Sequence, residues 1–280
     1  MESSAEATDS AVLLAAVEAQ FLAAMSTGAR CAETVAFRVH LWPEPDPFYR
    51  NVAVPTRQPA DWAPAIAAMR QAFAAADRLP RLEFIEERWP GLAAALGQAG
   101  FVAASRMPVM VATNRPSSAL AVDHPNNRQV IHLDGSTTND VFERYLEAAH
   151  SAFEQKLAPA TRRREVVLLA SELAQGRCRI CLIVNDAGDI LAGAGLIGIA
   201  RLPIDSSEPV QIAELAGVWT EAAHRRQGLA SLVAAAVVDR FAASGGVVWL
   251  GAKGERSAAL YSRLGFREIG HQRNFSGPGA

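Results

Sequence analysis

Residues Arg225, Arg226, Gln227, Gly228, Leu229, Ala230 and Ser231, preceded by His224, join two guanidinium groups and one glycine to the start of an apolar segment. That combination suits an anion. Glycine lets backbone approach a ligand with no Cβ in the way, and the unpaired N–H groups of a first helical turn lie at the positive end of the helix dipole. The two arginines add donors whose fork matches phosphate oxygens. The pattern Arg-x-x-Gly-x-Ala has three constrained positions and identifies such a loop weakly when read alone, so its flanks must decide.

Before the loop, Gln211 to Thr220 is apolar on both faces, as expected of a strand in mid-sheet, and only Glu214 interrupts it. After it, Leu229, Leu232, Val233, Ala236, Val237 and Phe241 recur at the spacing of a helix that lays an apolar stripe on a sheet. Strand, basic glycine-containing loop and helix therefore follow one another, which is the order a phosphate cradle needs.

Two other motifs compete. Cys178 and Cys181 have the spacing of a redox or zinc pair, but they fall in a strand-like run, where residues three apart point to opposite faces, and no second ligand pair accompanies them. Core packing is the expectation, and no metal is expected. Gly193, Gly195 and Gly198 match the dinucleotide fingerprint, yet an extended stretch ending at Pro203 follows where that fingerprint requires a helix. These glycines are expected to lie in a strand.

The chain of 280 residues is long enough for two modest domains. Half of it is hydrophobic, a fifth is charged, and the net charge is −2, so no overall positive field is available to hold nucleic acid or an anionic membrane. Residues Met1 to Ser10 carry acidic but no basic side chains, and no apolar run is expected to reach spanning length. Three cysteines fit a reducing compartment. A cytoplasmic protein is expected.

In order, the pattern predicts a helix over Ala11–Met25, a strand over Glu33–Leu41, a short strand over Asn51–Pro55, and a helix over Asp61–Ala76 with Asp61 as N-cap. A strand over Arg81–Glu86, a helix over Pro90–Gln98 and a strand over Met107–Ala112 close the first half, residues 1–115. Residues 116–127 have the composition of a linker. The second half, 128–280, opens with a strand at Gln129–Leu133 and helices near Thr138–Phe153 and Thr161–Gln175. Strands over Arg179–Val184 and Ile190–Ala200 lead to the cradle. A strand at Val247–Gly251, a helix at Ser257–Leu264 and a last strand at His271–Phe275 follow it.

With Tyr261, Leu264, Gly265 and Phe266 standing about thirty residues beyond the cradle, the second half resembles the GCN5-related N-acetyltransferase superfamily. Arg225 to Ala230 looks like that family's acyl-CoA pyrophosphate loop, and Ala259 to Phe266 like its second motif. The resemblance implies an α/β (α+β) fold with a mixed, mostly antiparallel sheet whose central strands splay. Pantetheine would lie against the strand end at Val218, Trp219 and Thr220, and diphosphate on the amides of Arg226 to Ser231.

The resemblance also matches Tyr261 to the tyrosine that protonates the departing thiolate; a tyrosine packed between helix and sheet is the alternative. Glu214 is the candidate general base, because a protonated amine cannot attack a thioester. It stands four residues before Val218, on the same face of a regular strand and about 13 Å away. A carboxylate paired with an arginine is the other reading of Glu214. Gly254 departs from the asparagine many family members place there.

The first half repeats the closing order of the second in faded form. Its loop from Thr56 to Trp62 has no glycine, Pro59 lacks an N–H, and Asp61 puts negative charge where a phosphate would sit. Two acetyltransferase-like domains are thus expected, the first without CoA. That half is expected to pack on the second, to wall the acceptor site or to form a homodimer. The expected function is transfer of acetyl from acetyl-CoA to the primary amine of a small molecule or peptide, by direct attack in a ternary complex. A CoA-binding regulatory or interaction module is the alternative.

Overall fold

The structure is a computed structural model that describes residues 4–43, 50–112, 128–155, 159–203 and 208–278. The expected linker, 116–127, lies outside the described residues. The first half builds α1 (Ser4–Ser26), β1 (Arg30–Glu33), β2 (Phe37–Leu41), β3 (Val52–Pro55), α2 (Trp62–Ala75), β4 (Arg81–Ile85), α3 (Leu92–Gln98) and β5 (Val102–Ala112). The second builds β6 (Arg128–Leu133), α4 (Asn139–Ala152), α5 (Pro159–Ala174), β7 (Arg179–Asn185), β8 (Ile190–Leu202) and β9 (Val210–Thr220). After the loop come α6 (Leu229–Ala242), β10 (Val247–Gly251), α7 (Glu255–Arg263) and β11 (Arg267–Ser276).

Local chemistry sets most of these boundaries. Asp61 caps α2 by accepting from Ala63 N at 2.9 Å. The expected strand over Glu33–Leu41 is instead two strands, because Thr34 turns the chain by bonding Phe37 O through both its N and its Oγ1. The two half-ends match closely: Phe101 N donates to Leu96 O at 2.9 Å, and Phe266 N to Tyr261 O at 3.0 Å, each just past a left-handed glycine, Gly100 or Gly265.

All strands join one sheet, in the order β1-β2-β3-β4-β11-β5-β10-β9-β8-β7-β6. The halves have exchanged their last strands. β5 pairs antiparallel with β10 of the second half, β11 pairs antiparallel with β4 of the first, and β5 and β11 pair with each other at the centre. This exchange explains why β5 begins at Val102, not Met107, and β11 at Arg267, not His271: the added residues pair with each other's strand. The sheet is mixed, with β3–β4 and β9–β10 the parallel neighbours.

Helices α2, α3, α6 and α7 pack on one face and α1, α4 and α5 on the other. Contrary to expectation, α1 is long and apolar enough over Asp9–Ser26 to span a membrane. Here Leu13, Leu14, Val17 and Phe21 enter the core beside Trp249. Its polar groups are bonded to the sheet as well: Gln20 Oε1 accepts from Trp249 Nε1 at 2.8 Å, and Gln20 Nε2 donates to Gly198 O at 2.7 Å.

Candidate functional site

β9 and β10 pair from Ile212–Val247 to Glu214–Trp249 and then part, while β9 continues to Thr220. The sheet therefore opens just beyond Glu214. Within that free stretch Gly217 has φ +59° and β9 gains one residue against β8, where Gly193 pairs Trp219 and Gly195 pairs Ala216. This bulge re-aims the side chains. Glu214 lies on the face of α1, with Trp249 and Ile212, whereas Val218 packs on the core beneath α6. The expectation that Glu214 and Val218 share a face is thus wrong, because the strand is not regular between them. Trp219, turned back to the α4 face, packs on Tyr145 with ring centroids 6.4 Å apart.

The loop after β9 has the geometry of an anion cradle. Gly228 caps α6 at φ +79°, and Arg226 is also left-handed at φ +66°. The first helical hydrogen bond runs from Leu232 N to Gly228 O at 3.1 Å, leaving the amides of Leu229, Ala230 and Ser231 ahead of it. The Leu229 side chain is buried in the core and anchors the turn. Arg225 Nε donates to Thr220 O at 3.3 Å and its Nη2 to Ala152 O at 3.1 Å, which ties the loop to the end of α4. Gln227 accepts from Arg128, and Arg226 is exposed. Thr220 Oγ1 and Trp219 Nε1 are buried without a hydrogen-bond partner among the described residues. Free first-turn amides, a left-handed glycine and the idle Thr220 hydroxyl fit an acyl-CoA diphosphate and the chain leading from it.

Tyr261, on α7, is half-buried against Phe266, with ring centroids 5.8 Å apart, on the α6 face. Burial raises its pKa above the usual tyrosine value, which keeps the phenol protonated. Its hydroxyl has no hydrogen bond among the described residues. Glu214 is half-buried, with no hydrogen bond or ion pair among the described residues. Burial first, and the like charge of Glu83 second, push its pKa up to about 8. The arginine-paired reading of Glu214 therefore fails. Acid and base candidates stand on opposite faces of the sheet, with the parted strands between them.

The remaining motifs resolve as core. Cys178 and Cys181 are both buried, and burial pushes each thiol up to about 12. Gly193 to Gly198 lies inside β8, where a Cβ on Gly193 would come within 2.8 Å of Trp219. Glu86, Glu87 and His271 gather their ligand atoms within 4.8 Å, but Glu86 already pairs with Arg106 and Arg273, and Glu87 with His271.

In the first half, the carboxylate of Asp61 occupies the first turn of α2, and β3 and β4 are in register at Ala53–Leu82 alone. Leu96, the counterpart of Tyr261, is fully buried. Sequence reasoning missed Glu83 and the Gly217 bulge. A glycine inside an apolar strand was the available signal for the bulge.

A family model described as FR47-like protein matches residues 205–275. Among solved structures, a GCN5-related N-acetyltransferase from Kribbella flavida is 26% identical, with TM-score 0.74, covering 95% of this chain and 96% of its own. A tandem GNAT protein from the clavulanic acid biosynthesis pathway is 14% identical, with TM-score 0.60, covering 95% and 97%. A GCN5-related N-acetyltransferase-like protein from Streptococcus suis is 13% identical, with TM-score 0.54, covering 94% and 99%. No curated protein sequence matches. The exchanged strands, the parted β9 and β10, the cradle and these likenesses agree on the fold: the chain is built like the GCN5-related N-acetyltransferases it resembles, in a tandem arrangement.

Proposed function

We propose that the protein is an N-acetyltransferase of the cytoplasm that moves acetyl from acetyl-CoA to a primary amine by direct attack in a ternary complex. The observation that carries this reading is the opening between β9 and β10, with the cradle at its end and one proton-handling residue on each side. Bound acetyl-CoA supplies an activated acyl group. Leu229, Ala230 and Ser231 would hold its diphosphate through their amides, aided by Arg226, and the free end of β9 at Val218 to Thr220 would offer backbone groups to the pantetheine.

Amine attack needs an unprotonated nitrogen, and Glu214, held near pKa 8 with no cation beside it among the described residues, is suited to take that proton. A leaving thiolate needs a donor, and the idle Tyr261 hydroxyl is suited to supply one. Only the second half holds CoA in this reading.

The test is free-thiol release from acetyl-CoA across a panel of small and peptide amines. Turnover with at least one amine, reduced on the order of a hundredfold in Glu214→Gln, is expected. CoA binding without turnover of any amine would favour a regulatory module and overturn the reading.

A further inference from the structure

Strand exchange has a chemical consequence on the α1 face of the sheet. Residues in register on neighbouring strands point to the same side. Glu214 is in register with Trp249, Gly251 with Val109, Met107 with Gln272, and Asn274 with Glu83. Glu214 of the second half and Glu83 of the first therefore face the same side, separated by β10, β5 and β11.

Gln272 bridges the gap: its Nε2 donates to Glu83 Oε1 at 2.5 Å, and its Oε1 lies 2.7 Å from where a Cβ on Gly251 would stand. Gly251 is a glycine where the bridging amide needs the space. Around this row, Arg81 Nη2 reaches Asn274 Oδ1 at 3.1 Å and stands 3.6 Å from Glu83 Oε2, while Asn274 Nδ2 donates to Ser105 Oγ at 3.1 Å. The row thus holds two carboxylates and one guanidinium, and that guanidinium sits with Glu83. Glu214 is left without a cation among the described residues, and Glu83 is close enough on the same face for its like charge to act on it. Burial, mostly, pushes Glu83 up to about 7, consistent with a site short of positive charge.

We infer that Glu83 of the first half is an acceptor-binding residue: with Glu214 it forms a two-carboxylate site for a cationic amine whose neighbouring substituent is a second cation, not a carboxylate or phosphate. The inference rests on the proposed placement of the acceptor at Glu214, and it gives the first half a direct part in substrate choice. An ammonium that reaches this face meets Glu214, which in its ionised form takes the proton, while Glu83 faces the rest of the molecule. A carboxylate brought into that space meets two carboxyl groups where one guanidinium is present, and like charges at close range are disfavoured.

Two probes of equal chain length test this, 1,3-diaminopropane and 3-aminopropanoate, titrated calorimetrically into the full chain saturated with CoA, alongside thiol-release assays. Wild type is expected to bind the diamine at least tenfold more tightly, Glu83→Gln to narrow that preference about tenfold with acetyl-CoA affinity unchanged, and Glu83→Asp to restore it in part. Glu33→Gln, at the far edge of the sheet, serves as the control. Preference unchanged in Glu83→Gln, or preference for the amino acid in wild type, overturns the inference. If Glu83→Gln loses diamine binding while Glu214→Gln keeps full turnover, the inference stands and the assignment of Glu214 as base falls. If neither probe binds wild type, the inference falls, and the thiol-release panel decides the acetyltransferase reading on its own.

Discussion

The N-termini of α2 and α6 occupy equivalent places after a parallel strand, and they differ in what fills the first turn. At α6 the cap is Gly228, left-handed and without a side chain, so the amides behind it face outward. At α2 the cap is Asp61, whose carboxylate takes Ala63 N and brings its own negative charge. The two first turns thus differ in their caps, because the same amide groups can serve a ligand or the protein but not both. The same division appears one element later: Tyr261 keeps an idle hydroxyl, whereas its counterpart Leu96 is wholly buried.

This contrast can be broken from both sides. Gly228→Asp makes the second cradle resemble the first; aspartate enters the left-handed region at some cost in strain, and its carboxylate repels the diphosphate. Loss of CoA affinity beyond a hundredfold by calorimetry is expected. Leu96→Ala should cost about 2–5 kcal/mol in denaturant unfolding, the magnitude for a core leucine, and leave CoA affinity alone. Tyr261→Phe should do the reverse, lowering kcat on the order of a hundredfold with stability and acetyl-CoA affinity nearly intact; a fully active variant removes the tyrosine from the mechanism.

Titration sharpens the same contrast. Glu214 holds its proton more tightly folded, near pKa 8, than unfolded near 4.5, so its contribution to stability is complete below about pH 4.5 and is lost as pH rises through 8. Melting temperature should therefore fall across that window, and less so in Glu214→Gln. Turnover should rise through about pH 8 as the carboxylate forms. The smallest effect expected is that of Asp61→Ala, which removes a cap worth about 1 kcal/mol and lowers the melting temperature by about 2–4 °C. It should create no second CoA site, since Pro59, which lacks an N–H, remains.

Much of this was legible in the chain. Gly228 with its arginines, the helix stripe after it, Asp61 as cap and the matching Gly100–Phe101 and Gly265–Phe266 are local patterns, and local patterns are what a sequence displays. The strand exchange was not, because β5 and β11 read as ordinary closing strands and nothing in their residues names their partners. The Gly217 bulge moved Glu214 to the other face by adding one residue to a period-two pattern. Glu83 stayed hidden because its meaning depends on Gln272 and Gly251, which lie far away in the chain and adjacent in the sheet.

Calorimetric titration of acetyl-CoA into the full-length chain tests the central claim that only one of two similar halves holds the cofactor. One site per chain is predicted, unaffected by Asp61→Ala and abolished by Gly228→Asp. Two sites per chain, or binding that survives Gly228→Asp, would contradict it.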